Sequence, residues 1–352
     1  MTARLLSNDL PRSRWLALAL LLIVAGLALA PFLFPGSKAL GVAAKMLVFV
    51  VLVASYDLLL GYTGIVSFAH TMFFGIGAYG VAIASTRMGE GWAAVGLGLV
   101  AALVCSLLLS LLIGLFSLRV KAIFFAMITL AVASAFQTLA SQLSDFTGGE
   151  DGLSFKPPAV LSPSSAWIVD GRLLSYYLLF AAALVLFLLL LRIVNSPFGR
   201  VLQAIRENEF RAEALGIRTV VYRTWSNVLA ALFATAAGAL LALWLRYTGP
   251  DTTLSFEIML DILLIVVIGG MGTLYGAVLG AVLFVAAQNY LQDLLKLGGS
   301  ALDGVPVLSA LVTPDRWLLW LGLLFVLSVY HFPTGIVGRL RAPTNPQKET
   351  PP

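Results

Sequence analysis

The sequence predicts an all-α fold, a polytopic transmembrane helical bundle, and three observations carry that prediction. Hydrophobic residues make up 60% of the 352-residue chain and charged residues only 11%, against about 45–50% and about 25% in an ordinary soluble domain. Apolar stretches of about 20 residues, the length that crosses a bilayer core, recur along nearly the whole chain. No polar helical face accompanies them that could shield them inside a water-soluble core.

Taken in order, the apolar segments fall at 15–34, 40–60, 62–85, 92–117, 122–142, 174–194, 224–245, 256–268, 273–292 and 316–332. That is about ten crossings, most of them near the length a helix needs to span. The opening MTARLLSNDLPRSRW has the basic flank of a signal peptide. The apolar run behind it is long enough to span and no convincing A-x-A cleavage site follows, so it is read as the first helix. Cys105 is the single cysteine and lies inside an apolar run, which leaves no intramolecular disulfide framework and no thiolate metal site. The expected organisation is a cytoplasmic segment over 1–14, a transmembrane domain over 15–335 and a cytoplasmic, partly disordered tail over 336–352, proline-rich and polar from Ala342. Within the membrane domain, 143–173 is an extracytoplasmic loop and 195–223 a cytoplasmic one.

The net charge of +5 is modest, and its placement speaks for a membrane and not for nucleic acid. With the N-terminus inside, the inner loops hold Arg4, Arg12, Arg14, Arg119, Lys121, Arg200, Arg206, Arg211, Arg218, Arg223, Arg339, Arg341 and Lys348. The outer loops hold only Lys38, Arg87, Lys156, Arg172, Arg246 and Lys296. That bias, together with an even number of crossings, places both termini in the cytoplasm.

Residues 61–80 read GYTGIVSFAHTMFFGIGAYG. Glycine in a membrane helix permits close packing, which accounts for Gly75, Gly77 and Gly80. It accounts less well for Thr63, Ser67 and His70, because polar side chains clustered at membrane depth face a cavity or a partner. The alternative is a broken or re-entrant element beside a solute passage, since non-helical backbone at that depth is tolerated only inside protein or along water. A second glycine-rich stretch, GGMGTLYGAVLGA over 269–281, echoes the first. Paired interruptions of this kind point to a pathway between structural repeats, inverted repeats being one such arrangement. The candidate pathway set is therefore Gly61, Thr63, Gly64, Ser67, His70, Gly75, Gly77, Gly269, Gly270, Gly272 and Gly276.

Asp57 and Asp261 sit near the edges of apolar runs, where a carboxylate at the interface or at a helix terminus is the simpler reading than a proton relay. Few other ionisable groups fall within the membrane, which argues against an ion-driven carrier. Ser67 and His70 lie one helical turn apart, but no G-x-S-x-G elbow or H-E-x-x-H pair supports an enzyme. His331 ends the last apolar segment, where a helix-terminal role suffices.

The stretch SPFGRVLQAIRENEFRAEALGI, 196–217, predicts a surface helix. Ser196 suits the N-cap, Pro197 the first helical position and Gly216 the C-terminal stop. From Pro197 to Leu215 one helix would run about 28 Å, with Glu207 and Arg211 as an i,i+4 pair. A capped, charged unit of this kind suits docking to a separate cytoplasmic partner.

These residues resemble the coupling loop of ABC-importer permeases, E-A-A-x3-G in general form, with Glu213, Ala214 and Gly216 in RAEALGI. The stretch 61–79 resembles the first signature of the branched-chain amino acid (Liv-type) permeases, and 269–281 their second. Their spacing, with the loop near 143–173, resembles the M-type subunit more than the shorter H-type. His70 departs from the small-residue pattern of the first signature.

The resemblance implies a membrane subunit without cofactor, translocating branched-chain or related amino acids; aromatic amino acids, urea and short amides stay open. It implies an H-type permease partner, two cytoplasmic ATPase subunits that use ATP and Mg²⁺, and an extracytoplasmic solute-binding protein, in a bacterial inner membrane. This chain has no G-x4-G-K-[ST], so nucleotide chemistry falls to the partners. The coupling residues it implies are Arg200, Arg206, Glu207, Asn208, Glu209, Glu213, Ala214 and Gly216. An ion-coupled secondary transporter is the alternative function, and a membrane scaffold the third.

Overall fold

The computed structural model describes residues 13–33, 36–117, 122–161, 171–301, 313, 316–332 and 335–340. The long helices are α1 (Arg14–Leu33), α2 (Ser37–Thr63), α3 (His70–Met88), α4 (Trp92–Ser117), α5 (Ala122–Gln142), α7 (Gly171–Val194), α10 (Thr219–Leu245), α12 (Phe256–Gly269), α13 (Leu274–Ala301) and α14 (Trp317–His331). Between them lie the short α6 (Ser144–Thr147), α8 (Pro197–Glu207), α9 (Glu209–Ala214) and α11 (Pro250–Thr253), and α15 (Gly335–Leu340) follows the last. The tail beyond 340, most of the segment 1–14, Arg119, Lys121 and the stretch 162–170 lie outside the described residues.

Each apolar segment of the sequence forms a helix, the segment 62–85 with a non-helical break at 64–69, and the fold is an all-α membrane bundle. Among the described residues, nine helical spans are long and apolar enough to cross a membrane, Pro250–Gly269 counting as one across α11 and α12. The tenth expected crossing is α3, which is not among those nine. Its His70, Arg87, glycines and hydroxyl residues lower its hydropathy, and it is sheltered by protein: His70 through Tyr79 are all buried.

The core forms around α2, which is buried along most of its length and meets α7, α8, α10, α12 and α13. Helices α1, α4, α5, α7 and α14 instead present large apolar side chains outward, among them Leu21, Leu108, Ile123, Val185 and Val326. In water such a surface would be an aggregation liability; against lipid tails it costs nothing. With no hydrophobic gain to be had between helices in lipid, close approach of small residues takes over. A Cβ at Gly77 would fall on the Thr235 carbonyl and one at Gly238 on the Phe74 carbonyl, so α3 and α10 interlock backbone to backbone. Hydroxyls add to this contact layer: Thr235 Oγ1 donates to Ser106 Oγ of α4 at 2.6 Å.

The loop 143–173 is more ordered, in its described part, than an extended proline-rich loop. Strand β1 (Leu153–Ser154) pairs antiparallel with β2 (Tyr247–Thr248), which follows α10 directly. The Arg246 guanidinium donates to the Leu161 carbonyl at 2.9 Å, and Tyr247 Oη to the Asp151 carbonyl at 3.1 Å. This cap sits at one end of α7 and α10, and α8 and α9 sit at the other.

Candidate coupling and translocation site

The 196–217 segment is two helices and not one. Pro197 opens α8 as foreseen, but the Ser196 hydroxyl donates back to the Ile193 carbonyl at 2.6 Å and makes no cap bond. Asn208 leaves helical geometry (φ −159°, ψ 101°) and its Oδ1 accepts from the Arg211 N–H at 3.0 Å, capping α9. Asparagine favours this because its short amide competes for local backbone bonds. At the far end Ile217 N–H donates to the Ala212 carbonyl (3.1 Å) and Gly216 N–H to the Glu213 carbonyl (2.8 Å). That is a Schellman stop, and the φ of +84° at Gly216 suits glycine.

Side chains then fasten α9 to α10. Arg223 grips both oxygens of Glu209 at 2.5 and 3.0 Å, and Thr219 Oγ1 donates to Glu213 at 2.8 Å. The expected Glu207–Arg211 pair is absent among the described residues; Glu209 and Arg223 pair instead. Thus two of the expected docking carboxylates, Glu209 and Glu213, are fastened to α10, Glu209 half-buried and Glu213 still exposed. Arg200, Arg206, Glu207, Asn208, Arg211, Ala214 and Gly216 are exposed as well, joined by two residues outside the expected coupling set: Phe210, 85% exposed, and Leu215, 76% exposed. Exposed apolar residues in a charged helix were the available signal.

Arg206, although an exposed residue, reaches from α8 to the end of α2, where its Nη1 donates to the Gly61 carbonyl. It lies between the two glycine-rich turns: a Cβ at Gly64 would touch its side chain, and so would one at Gly272. Gly64 (φ +74°) ends α2, with Ile65 N–H donating to the Leu59 carbonyl at 3.0 Å. Gly272 (φ +80°) shapes the turn between α12 and α13, and its N–H donates to Asp57 Oδ1 at 2.8 Å. Asp57 is therefore a helix-terminal clasp, 1% exposed, joining α2 to that turn. Arg206 from the candidate coupling set and Gly61, Gly64 and Gly272 from the candidate pathway set, separate in sequence, meet here. Both turns face α8, so the pair is related as two turns on one side of the bundle, where an inverted repeat would place them on opposite sides.

The remaining pathway candidates are spread through the interior. Within 61–80 the non-helical backbone is confined to 64–69, and α3 is unbroken from His70. Phe68 N–H finds Thr129 Oγ1 of α5 at 3.0 Å, so the freed backbone is satisfied by a hydroxyl. Thr63 Oγ1 donates to the Leu58 carbonyl and lies 2.9 Å from Ser226 Oγ of α10. Ser67 is buried. His70 Nε2 lies 2.9 Å from Ser55 Oγ and 3.2 Å from the Leu52 carbonyl, with its ring against Tyr56, an interior histidine held by α2. Gly75 abuts Leu254, Gly77 abuts α10, and Gly269 and Gly276 close on each other across the α12–α13 turn. Gly270 meets Gly335 of α15.

Asp261 is placed otherwise. It is half-buried, its Oδ2 accepts from Gln288 Nε2 at 3.2 Å, and Gln288 Oε1 accepts from Lys45 Nζ at 2.9 Å. Lys45, inside α2, escaped the sequence reading because its partner lies 243 residues away.

A multi-pass helical bundle with a capped pair of amphipathic helices pinned under its glycine turns defines a membrane transport subunit driven from outside itself. The chain belongs to the family described as branched-chain amino acid transport system / permease component, whose profile matches residues 38–329. It is 26% identical over 299 residues to the high-affinity branched-chain amino acid transport system permease protein LivM of Salmonella typhimurium, covering 79% of this chain and 69% of that one. It is equally similar to the Escherichia coli protein of that name. To the probable branched-chain amino acid transport permease protein LivM of Methanocaldococcus jannaschii it is 28% identical over 262 residues, 72% of this chain and 73% of that one. No solved structure matches it significantly. The chain is thus a multi-pass permease component of an ABC transport system and not an enzyme. Such a component works with ATPase and binding-protein components, and the ion-coupled alternative is not favoured.

Proposed function

We propose that this chain is the M-type half of a permease heterodimer that imports branched-chain or related amino acids across a bacterial inner membrane, both termini cytoplasmic. An H-type permease completes the pathway, and a solute-binding protein docks on the β1–β2 face. Two ATPase subunits, which carry the ATP and Mg²⁺, dock on α8 and α9. The segment 15–335 is the permease unit, with 195–223 as its coupling loop. The relatives' names support the substrate class, and the excess of arginine around α8 and α9 supports the orientation.

The observation that carries the mechanism is the Arg206 contact with Gly61 beside Gly64 and Gly272. ATP-driven closure of the ATPases pushes α9, which is rigidly tied to α10 through Glu209 and Arg223. The same push moves α8, and Arg206 passes it to the ends of α2 and α12. Those ends are glycine turns, which can change backbone geometry at little cost. Phe210, Arg211 and Leu215 form the surface the ATPase receives.

Reconstitution tests this reading. Proteoliposomes holding both permeases, the ATPases and the binding protein take up leucine on ATP addition and are inert without the ATPases. Uptake by the permeases alone under a proton or sodium gradient would overturn it.

A further inference from the structure

Helices α12, α13 and α14 enclose a cleft of about 860 Å³, within the range of small-molecule sites, about 300–1,000 Å³. Its wall is apolar, with Leu264, Phe284, Leu321 and Phe325, and its polar lining includes Asp261 and Gln288. It follows α12 from Glu257 to Ile268, about 17 Å of helix rise. One end therefore lies near the β2 side of the bundle, and the other stops just before the glycine turn that Arg206 touches.

The polar groups are built and not incidental. Lys45 donates to Gln288 Oε1, which orients the amide so that its Nε2 donates to Asp261 Oδ2. Asp261 Oδ1 makes no hydrogen bond among the described residues. Among the described residues Asp261 forms no ion pair; Lys45, bonded to the Gln288 amide, lies beyond ion-pair distance and acts on the carboxylate through space. A carboxylate held within a membrane-spanning helix against an apolar wall suits a ligand that brings a cation and an apolar body together.

We propose that this cleft is a solute-binding station of the translocation pathway, in which Asp261 receives the α-ammonium group of an amino acid and the Leu264, Phe284, Leu321 and Phe325 wall receives its apolar side chain. The proposal rests on the amino-acid importer reading given above. Gln288 is a positioning residue, which holds the Asp261 carboxylate, and Lys45 fixes the orientation of Gln288. Solute leaving the cleft at Ile268 meets the turn that the coupling helix controls.

The test uses the assembled transporter in proteoliposomes with Leu264→Cys in a Cys105→Ser background, modified by a small methanethiosulfonate reagent. Leucine slows the modification severalfold, and its 2-oxo acid, which lacks the ammonium group, does not. Adding Asp261→Asn lowers the apparent affinity for leucine protection by about tenfold or more, the worth of a hydrogen bond to a charged group, and Asp261→Glu restores part of it. If the Leu264→Cys complex does not assemble, Leu321→Cys reports on the facing wall. ATP-driven uptake with equal modification rates in leucine and in the 2-oxo acid overturns this site and leaves the importer reading intact. Modification blocked in the complex whatever the solute also overturns it, because another chain then fills the cleft. Loss of ATP-driven uptake with Asp261 intact overturns the importer reading itself.

Discussion

Arg206 of α8 donates to the carbonyl of Gly61 in the last turn of α2, across 145 residues of sequence. The pairing satisfies a carbonyl that the helix end leaves without an intrahelical partner. It also makes one side chain common to the surface helices and to both glycine turns. Several consequences can be measured.

Glu209 and Arg223 tie α9 to α10 in a two-point ion pair. Charge reversal at either position alone, Glu209→Arg or Arg223→Glu, is expected to abolish stimulation of ATP hydrolysis by the loaded binding protein. The double reversal is expected to recover most of it, because the fork can form in the opposite sense. A double variant as dead as the singles would show that the pair does not transmit force.

Phe210 and Leu215 are expected to seat in the ATPase subunit. Phe210→Ala or Leu215→Ala should weaken ATPase association by roughly thirtyfold, the factor that corresponds to a hot-spot loss of about 2 kcal/mol. The melting temperature of the isolated permease should not change, because neither residue is buried within it. Titration of labelled ATPase onto permease in nanodiscs measures the first quantity and thermal unfolding the second.

Gly272→Ala places a Cβ 2.9 Å from Arg206 Nη1 and 3.0 Å from the Gly61 carbonyl oxygen, in a backbone conformation that costs other residues about 1–2 kcal/mol. Gly64→Asn keeps an αL-tolerant residue at a roomier position. The first variant should lose uptake while its complex still forms, and the second should retain it. Size-exclusion of the complex, followed by leucine uptake, separates assembly from transport.

Gly77→Leu and Gly238→Leu would drive side chains into the backbone of the facing helix. Both are expected to fail in folding and not in transport alone, giving little protein after membrane extraction. Gly96→Leu, on α4 with open space around it, should express normally. Equal yields from all three would show that α3 and α10 do not interlock.

Much of this architecture was legible in the residues themselves. A bilayer demands apolar runs of set length, so the helices announced themselves. The exception, α3, carries the polar and small residues that let it pack inside the protein, which is why its hydropathy is lower. The stop at Gly216 was readable because glycine there has a backbone reason. The break at Asn208 was readable in principle from the asparagine, but Ser196 and Gly216 framed a single helix of plausible length. Gly75 and Gly77 read equally well as packing or as pathway, because a glycine names the absence of a side chain and not what lies opposite. The Arg206–Gly61, Asp57–Gly272 and Lys45–Gln288–Asp261 contacts join residues far apart in the chain, and no local pattern records them. Phe210 and Leu215 were overlooked because the charges around them dominated the reading.

The central claim is that Arg206 carries the motion of the coupling helices to the glycine turns. It is tested most directly by simultaneous measurement of ATP hydrolysis and leucine uptake in proteoliposomes of the full transporter carrying Arg206→Ala. The account predicts that the ATPases still bind and hydrolyse ATP at the unstimulated rate, while stimulation by the loaded binding protein and leucine uptake both fall by about tenfold or more, as loss of a charge-assisted hydrogen bond implies. Arg206→Lys should recover part of each. Uptake and stimulation at the unsubstituted level in Arg206→Ala would contradict the account.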